Sequence, residues 1–180
     1  MGAGRIAPLV RPRARSPDSG VPVRLRPATL ADVPLLRRWD DDPDVVSSDP
    51  NDDWHWEEEL AQVPDWREPM IAEEDGRPIG FLDIIDPHRE TSRYWGDVPP
   101  GLRAIDIWIG APVDRGRGLG TEMMQLAIAR CFATPDVTAI VIDPLASNVR
   151  AIAFYARLGF VPVERRWFGA DDCLVMRLAR

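Results

Sequence analysis

The sequence predicts an α/β (α+β) domain, a mixed central sheet of about seven strands flanked by about four helices. Two strand–turn–helix passages and one tight hairpin predict it. In the first passage Ile105, Ile107 and Ile109 alternate as a half-buried strand does, a Gly-rich turn follows, and an apolar-periodic helix opens at Gly118. In the second, Ala139-Ile140-Val141-Ile142 reads as a buried strand, and Ser147 and Asn148 stand as N-cap residues before a short helix that Gly159 stops. The hairpin joins runs at 70–72 and 79–85 through Glu74-Asp75-Gly76-Arg77, an Asp-Gly turn.

Taken in order, residues 1–20 are rich in Pro, Arg, Ser and Gly without periodicity and are expected to be a disordered tail, with the folded domain spanning 21–180. A strand at 21–26 leads to Thr29-Leu30-Ala31-Asp32, a capping-box pattern ahead of Val33, Leu35, Leu36 and Trp39. The segment 40–53 holds seven acids in fourteen positions and reads as a loop, and 54–63 as a short amphipathic helix. After the hairpin, 88–101 is a polar loop carrying Tyr94, Trp95 and Asp97. The central strand at 103–109, a helix at 118–133, a strand at 138–142, a helix at 148–157 and strands near 160–166 and 173–178 complete the order βααβββαβαββ. Such alternation places helices on both faces of the sheet.

At 180 residues, with 45% apolar and 28% charged side chains, one domain with its own core is expected. No apolar run approaches the ~18 residues of a membrane span, and the N-terminus lacks the h-region of a signal peptide, so a cytoplasmic protein is expected. Cys131 falls in a helix pattern and Cys173 in a strand pattern, both read as buried small hydrophobes. His55 and His88 have no ligand spacing, and no metal is expected. The first 20 residues carry four Arg and one Asp, so of the formal net charge of −7 the rest of the chain holds −10. That field disfavours nucleic acid and favours a cationic partner.

Glycines admit a ligand close to the backbone, and a helix N-terminus offers unpaired N–H groups with a positive dipole end. The turn before the helix at 118–133 is therefore an anion site by its chemistry, with Arg115 and Arg117 adding positive charge. A Walker loop is excluded because all 22 basic residues are Arg, and a dinucleotide fingerprint because Gly116, Gly118 and Gly120 are followed by Thr121 and Glu122. On the central strand Asp106 faces away from Ile105 and Ile107, and an acid amid apolar neighbours requires a partner. That partner is a bound ammonium, Arg103 or a backbone donor. Tyr155 reads either as an aromatic on the core face of its helix or as a proton donor at a site.

Arg115-x-x-Gly118-x-Gly120, followed 28 positions after Gly120 by Asn148 and then by Tyr155, resembles the paired signatures of the GNAT N-acetyltransferases. The resemblance implies the GNAT fold and acetyl-CoA as cosubstrate. It assigns to that cosubstrate the central-strand backbone at Ile107, Trp108 and Ile109, the loop residues Arg115, Gly116, Arg117, Gly118, Leu119, Gly120 and Thr121, and Asn148, Ala151 and Tyr155. It makes Asp106 the residue that holds the reacting amine and Tyr155 the acid near the leaving thiolate. Within that family, Pro-Gly-x-Arg-x-Ile-Asp at 100–106, Pro-Asp-Val-Thr at 135–138 and Asp143-Pro144 before Ser147-Asn148 are similar to the aminoglycoside 6′-N-acetyltransferases. By that resemblance Trp95, Asp97, Asp106, Asp143 and Asp171 or Asp172 line the site of a cationic sugar, each charge-assisted hydrogen bond being stronger than a neutral one. A monomer or homodimer is expected. An acetyltransferase of another amine, such as a siderophore hydroxylamine or a protein N-terminus, and a non-catalytic acetyl-CoA-binding module are the alternatives.

Overall fold

The protein was analysed as a computed structural model that describes residues 22–48, 50–51 and 54–180. The tail expected at 1–20 lies outside the described residues. Seven strands form one sheet: β1 (Val23–Pro27), β2 (Arg67–Glu74), β3 (Arg77–Ile85), β4 (Leu102–Ile109), β5 (Ala139–Ile142), β6 (Val161–Phe168) and β7 (Asp171–Ala179). Their order is β1-β2-β3-β4-β5-β7-β6, antiparallel throughout except for the β4/β5 pair. The helices are α1 (Val33–Asp40), α2 (Pro43–Ser48), α3 (Trp56–Ala61), α4 (Leu119–Ala133) and α5 (Val149–Arg157).

Among the described residues five helices stand where about four were expected. The addition, α2, lies inside the acidic segment read as a loop. Its local chemistry is a helix start: Pro43 opens it and the Asp42 carboxylate accepts the Asp44 N–H at 3.0 Å. In contrast α3 is shorter than the 54–63 expected, beginning at Trp56. Strand β2 is longer than the 70–72 run because Pro69 is tolerated within it. Its carbonyl accepts from Ala28 N–H at 2.9 Å, so its missing N–H falls on the β1 side just where β1 ends.

The expected turn chemistry holds. Asp75 and Gly76, with φ of 54° and 72°, join β2 to β3 as a tight hairpin. Asp32 accepts the Thr29 N–H at 2.9 Å and its hydroxyl at 3.1 Å, closing the entry to α1. Asn148 caps α5 through the Ala151 N–H at 3.0 Å, and Gly159, at φ 95°, ends it.

Period 2 along the strands sorts the core into two layers. Leu82 and Ile84 of β3 and Ile105 of β4 pack beneath Met124, Ala127 and Cys131 of α4, with Ile152 and Tyr155 of α5 against the same cluster. On the other face Phe81 packs with Leu36 and Trp39 of α1 and Trp56 and Leu60 of α3. Farther along it, Trp95 of the 88–101 loop meets Ala104, Val141, Phe168 and Cys173. Both cysteines are buried. No helix among the described residues is long and apolar enough to cross a membrane.

Candidate active site

Parallel pairing of β4 with β5 is confined to Leu102, Arg103 and Ala104, opposite Ala139, Ile140 and Val141. Beyond Ala104, β4 runs on to Ile109 while β5 ends at Ile142, so the sheet opens along one edge of β4. Backbone N–H and C=O groups along such an edge are offered to an extended ligand that pairs as a strand. Ile107, Trp108 and Ile109 lie on that stretch.

A cavity of about 550 Å³ opens from this gap across the sheet face covered by α3 and the 88–101 loop. Ile105, Asp106, Ile107 and Trp108 line it from β4, and Ile142, Asp143, Asn148, Ala151 and Tyr155 from the opposite lip. Trp54 and Trp95 also line it. Trp54 stacks on Trp56 with centroids 4.7 Å apart, and Trp95 is 6% exposed, set edge-on to Tyr94 and Phe168. Tyr94, exposed by 49%, presents more ring to the opening than Trp95 does.

The Gly-rich turn sits at the far end of the β4 edge. Gly118 is the α4 N-cap at φ 88°, a left-handed conformation that favours glycine, and Gly116 adopts φ 72°. The first inward helical bond is from Thr121 N–H to Gly118 O at 3.0 Å. The N–H groups at the head of α4 and its positive dipole end supply an anion site. The two arginines expected to add charge are committed elsewhere. Arg115 pairs with Asp42 and Asp44 at 2.7 and 2.5 Å, and Arg117 with Asp114 and Glu74 at 2.6 and 2.9 Å. Both side chains pin the loop to these carboxylates. Gly120 faces Ile109 and Phe154, whose nearest atoms would lie 3.9 Å from an added Cβ.

The acids divide. Asp106, Asp143 and Asp171 line the cavity. Asp97 is exposed and off the cavity, and Asp172 binds Arg165 at 2.7 Å on the β6/β7 hairpin. Neither lines the cavity; Asp172 is turned away because the side chains of a strand alternate and Asp171 takes the inward place. Arg103, one partner the sequence allowed for Asp106, binds Asp86 at 3.1 Å. Asp143 accepts the Tyr94 hydroxyl at 2.7 Å. Burial raises the Asp143 carboxyl above its ordinary range, opposed by that hydrogen bond. Burial, with the nearby Asp106 and Asp143 charges, holds the Tyr155 hydroxyl far above its ordinary value, so it stays protonated and available to donate.

Sequence reading missed Asp83. It is fully buried, lines the cavity and stands directly across the ladder from Asp106. An acid inside the apolar run Ile79-Gly-Phe-Leu-Asp-Ile-Ile carries the same signal that singled out Asp106. Arg67, itself 9% exposed, binds Asp83 and Glu59 and lies 5.3 Å over the Trp54 ring. Among the described residues no cluster of His, Cys, Asp and Glu is arranged to hold a metal.

A family model described as "Acetyltransferase (GNAT) domain" matches residues 28–168. The aminoglycoside N(6′)-acetyltransferase type 1 of Klebsiella pneumoniae is 30% identical over 157 residues, covering 79% of this chain and 76% of that protein. A kanamycin resistance protein of Rhizobium radiobacter is 39% identical over 72 residues, 39% of this chain and 67% of its own. The crystal structure of aminoglycoside acetyltransferase AAC(6′)-Ib with coenzyme A superposes with a TM-score of 0.78 at 28% identity, over 88% of this chain and 95% of that one. Its complex with coenzyme A and kanamycin gives 0.78 at 27% identity with the same coverage. The gap between β4 and β5, the glycine turn at the head of α4 and these relationships agree: the chain belongs to the GNAT family of acetyl-CoA-dependent N-acetyltransferases.

Proposed function

We propose that this enzyme transfers the acetyl group of acetyl-CoA to the 6′ amine of an aminoglycoside antibiotic. The observation that carries the reading is one cavity in which the β4/β5 gap meets the carboxylates of Asp106, Asp143 and Asp171, with Glu59, Asp83 and Glu90 also on its lining. A sugar bearing several ammonium groups matches that charge, and the curated and structural relatives act on or bind such sugars by name.

The backbone at the head of α4 suits a pyrophosphate, and the open β4 edge suits a chain with amide groups. Asn148 uses its Oδ1 to cap α5, leaving its NH2 to the cavity. The thioester supplies an acyl carbon and a thiolate leaving group. Asp106 holds the acceptor ammonium against the gap, and the proton leaves to water with Asp106 as its first acceptor. The neutral nitrogen forms the new C–N bond at the acyl carbon, and the C–S bond breaks. Tyr155, kept protonated by its surroundings, gives its proton to the departing sulfur and is reprotonated by the second proton that the nitrogen sheds as the amide forms. An N–H of β4 near Ile107 or Trp108 polarises the carbonyl. Net, the ammonium loses one proton to solvent and the thiol is released.

Incubating the purified chain with acetyl-CoA and kanamycin, following thiol release and locating the acetyl group by NMR tests this directly. Acetylation at the 6′ nitrogen is expected. Turnover with a hydroxylamine or a peptide N-terminus but not with kanamycin would replace the reading.

A further inference from the structure

Asp83 and Asp106 form a directly opposed cross-strand pair on β3 and β4. Like charges so placed repel at a Cβ separation of about 5 Å, an arrangement that persists where something else compensates it. Arg67 compensates in part. It binds one oxygen of Asp83, Oδ2, and binds Glu59 as well, so the three groups together keep a formal charge of −1. The other oxygen, Oδ1, is buried without a hydrogen-bond partner, and so is the indole N–H of Trp108 two residues beyond Asp106 on the same face. Orphaned polar atoms of this kind are costly, and both residues line the cavity. Asp106 adds a further carboxylate to the same wall.

From these placements we propose that Asp83 is a second ammonium subsite, which binds an amino group of the acceptor close to the one held by Asp106 and so selects acceptors with two neighbouring amines. The inference rests on the aminoglycoside reading above and deepens it. Because Asp83 lies on β3, one strand farther from the β4/β5 gap than Asp106, the amine it holds is not the one acetylated. Arg67 keeps Glu59 and the Trp54 face when the ammonium arrives, so the subsite fills without ejecting the guanidinium. The Trp108 N–H lies beside it as a donor to a hydroxyl or ring oxygen of the same sugar.

The test compares kanamycin A, whose 6′-amino ring has a hydroxyl at position 2′, with kanamycin B, which has an amine there. Steady-state constants are measured for the wild type, for Asp83→Asn and for the double variant Arg67→Met with Asp83→Leu. Wild type is expected to have the lower KM for kanamycin B. Asp83→Asn should raise that KM about tenfold or more, the worth of one charge-assisted hydrogen bond, and change the KM for kanamycin A and for acetyl-CoA less than about twofold. If Asp83→Asn fails to fold with Arg67 held by Glu59 alone, the double variant, which removes the Arg67 and Asp83 charges together, should show the same lost preference. An equal change for both acceptors, or an unchanged preference in the variants of an active enzyme, overturns the subsite alone. A wild type that acetylates neither compound overturns the acceptor reading and the subsite with it.

Discussion

The Tyr94 hydroxyl donates a 2.7 Å hydrogen bond to Asp143 and ties the 88–101 loop to the end of β5 at the rim of the cavity. Phe168 stacks on the same ring at 4.5 Å, so the tie is held from both sides. It couples the charge state of an acid at the site to the position of the loop. Tyr94→Phe removes the bond that opposes burial, and the Asp143 carboxyl rises further. At a given pH less of it is then ionised, so the acceptor KM should rise as pH falls, with a midpoint shifted upward relative to wild type. A pH profile of KM for kanamycin checks the shift, and an unmoved profile would detach Tyr94 from acceptor binding.

Asp106→Asn should reduce acetylation by about a thousandfold or more while the dissociation constant for CoA stays within about twofold of wild type. Calorimetric titration with CoA alongside turnover separates the two. Loss of CoA binding in this variant would mean that Asp106 supports the fold rather than the amine.

Tyr155→Phe should lower kcat by about 10²-fold with little change in either KM, because the proton it supplies is needed only as the C–S bond breaks. A KM effect without a kcat effect would place the residue in packing, where the Phe160 ring lies 5.9 Å from it.

Asp114 is 1% exposed and anchors both Arg77 and Arg117, whose other partner Glu74 completes a network at the base of the glycine turn. The Arg77 guanidinium, with Arg117 adding to it, holds the Asp114 carboxyl below its ordinary value against the effect of burial. A depressed folded-state value stabilises the fold above the unfolded carboxylate pKa of ~3.9, and the contribution disappears as pH falls through the folded value. Asp114→Asn should therefore cost about 2–3 kcal/mol at pH 7, the half-exposed Arg77 reducing the loss expected of a fully buried pair, and much less in acid. Urea unfolding at pH 7 and pH 3 measures the difference. Weaker CoA binding should accompany it, since Arg117 then holds the turn through Glu74 alone.

Among the described glycines Gly110 makes the tightest approach to a neighbour. A Cβ there would lie 2.0 Å from Trp39 Cε2, inside the indole that packs α1 against the end of β4. Gly110→Ala should lower the melting temperature by several degrees and depress activity through the neighbouring β4 edge, at a cost of about 1–3 kcal/mol of overpacking. Thermal denaturation of the variant decides it.

Most of the fold was legible because its periodicities and caps are local. The Ile105, Ile107 and Ile109 alternation, the Asp-Gly hairpin, the glycine turn before α4 and the Asn148 cap each act over a few residues, and the structure keeps them all. The segment 40–53 was not, since its acids masked a Pro43 helix start stabilised in part by ion pairs to Arg115, 71 and 73 positions away. Sequence alone determined the strand order, every helix but α2 and the family signatures, because hydrogen-bonding and steric preferences of neighbouring residues set them. Only the tertiary structure decided that β5 leaves β4 after Ala104, that Arg115 and Arg117 pair with Asp42, Asp44, Glu74 and Asp114, that Asp171 and not Asp172 faces the cavity, and that Asp83 stands opposite Asp106. Those are relations of register and charge between residues far apart in the chain, and they exist only once the sheet has been assembled.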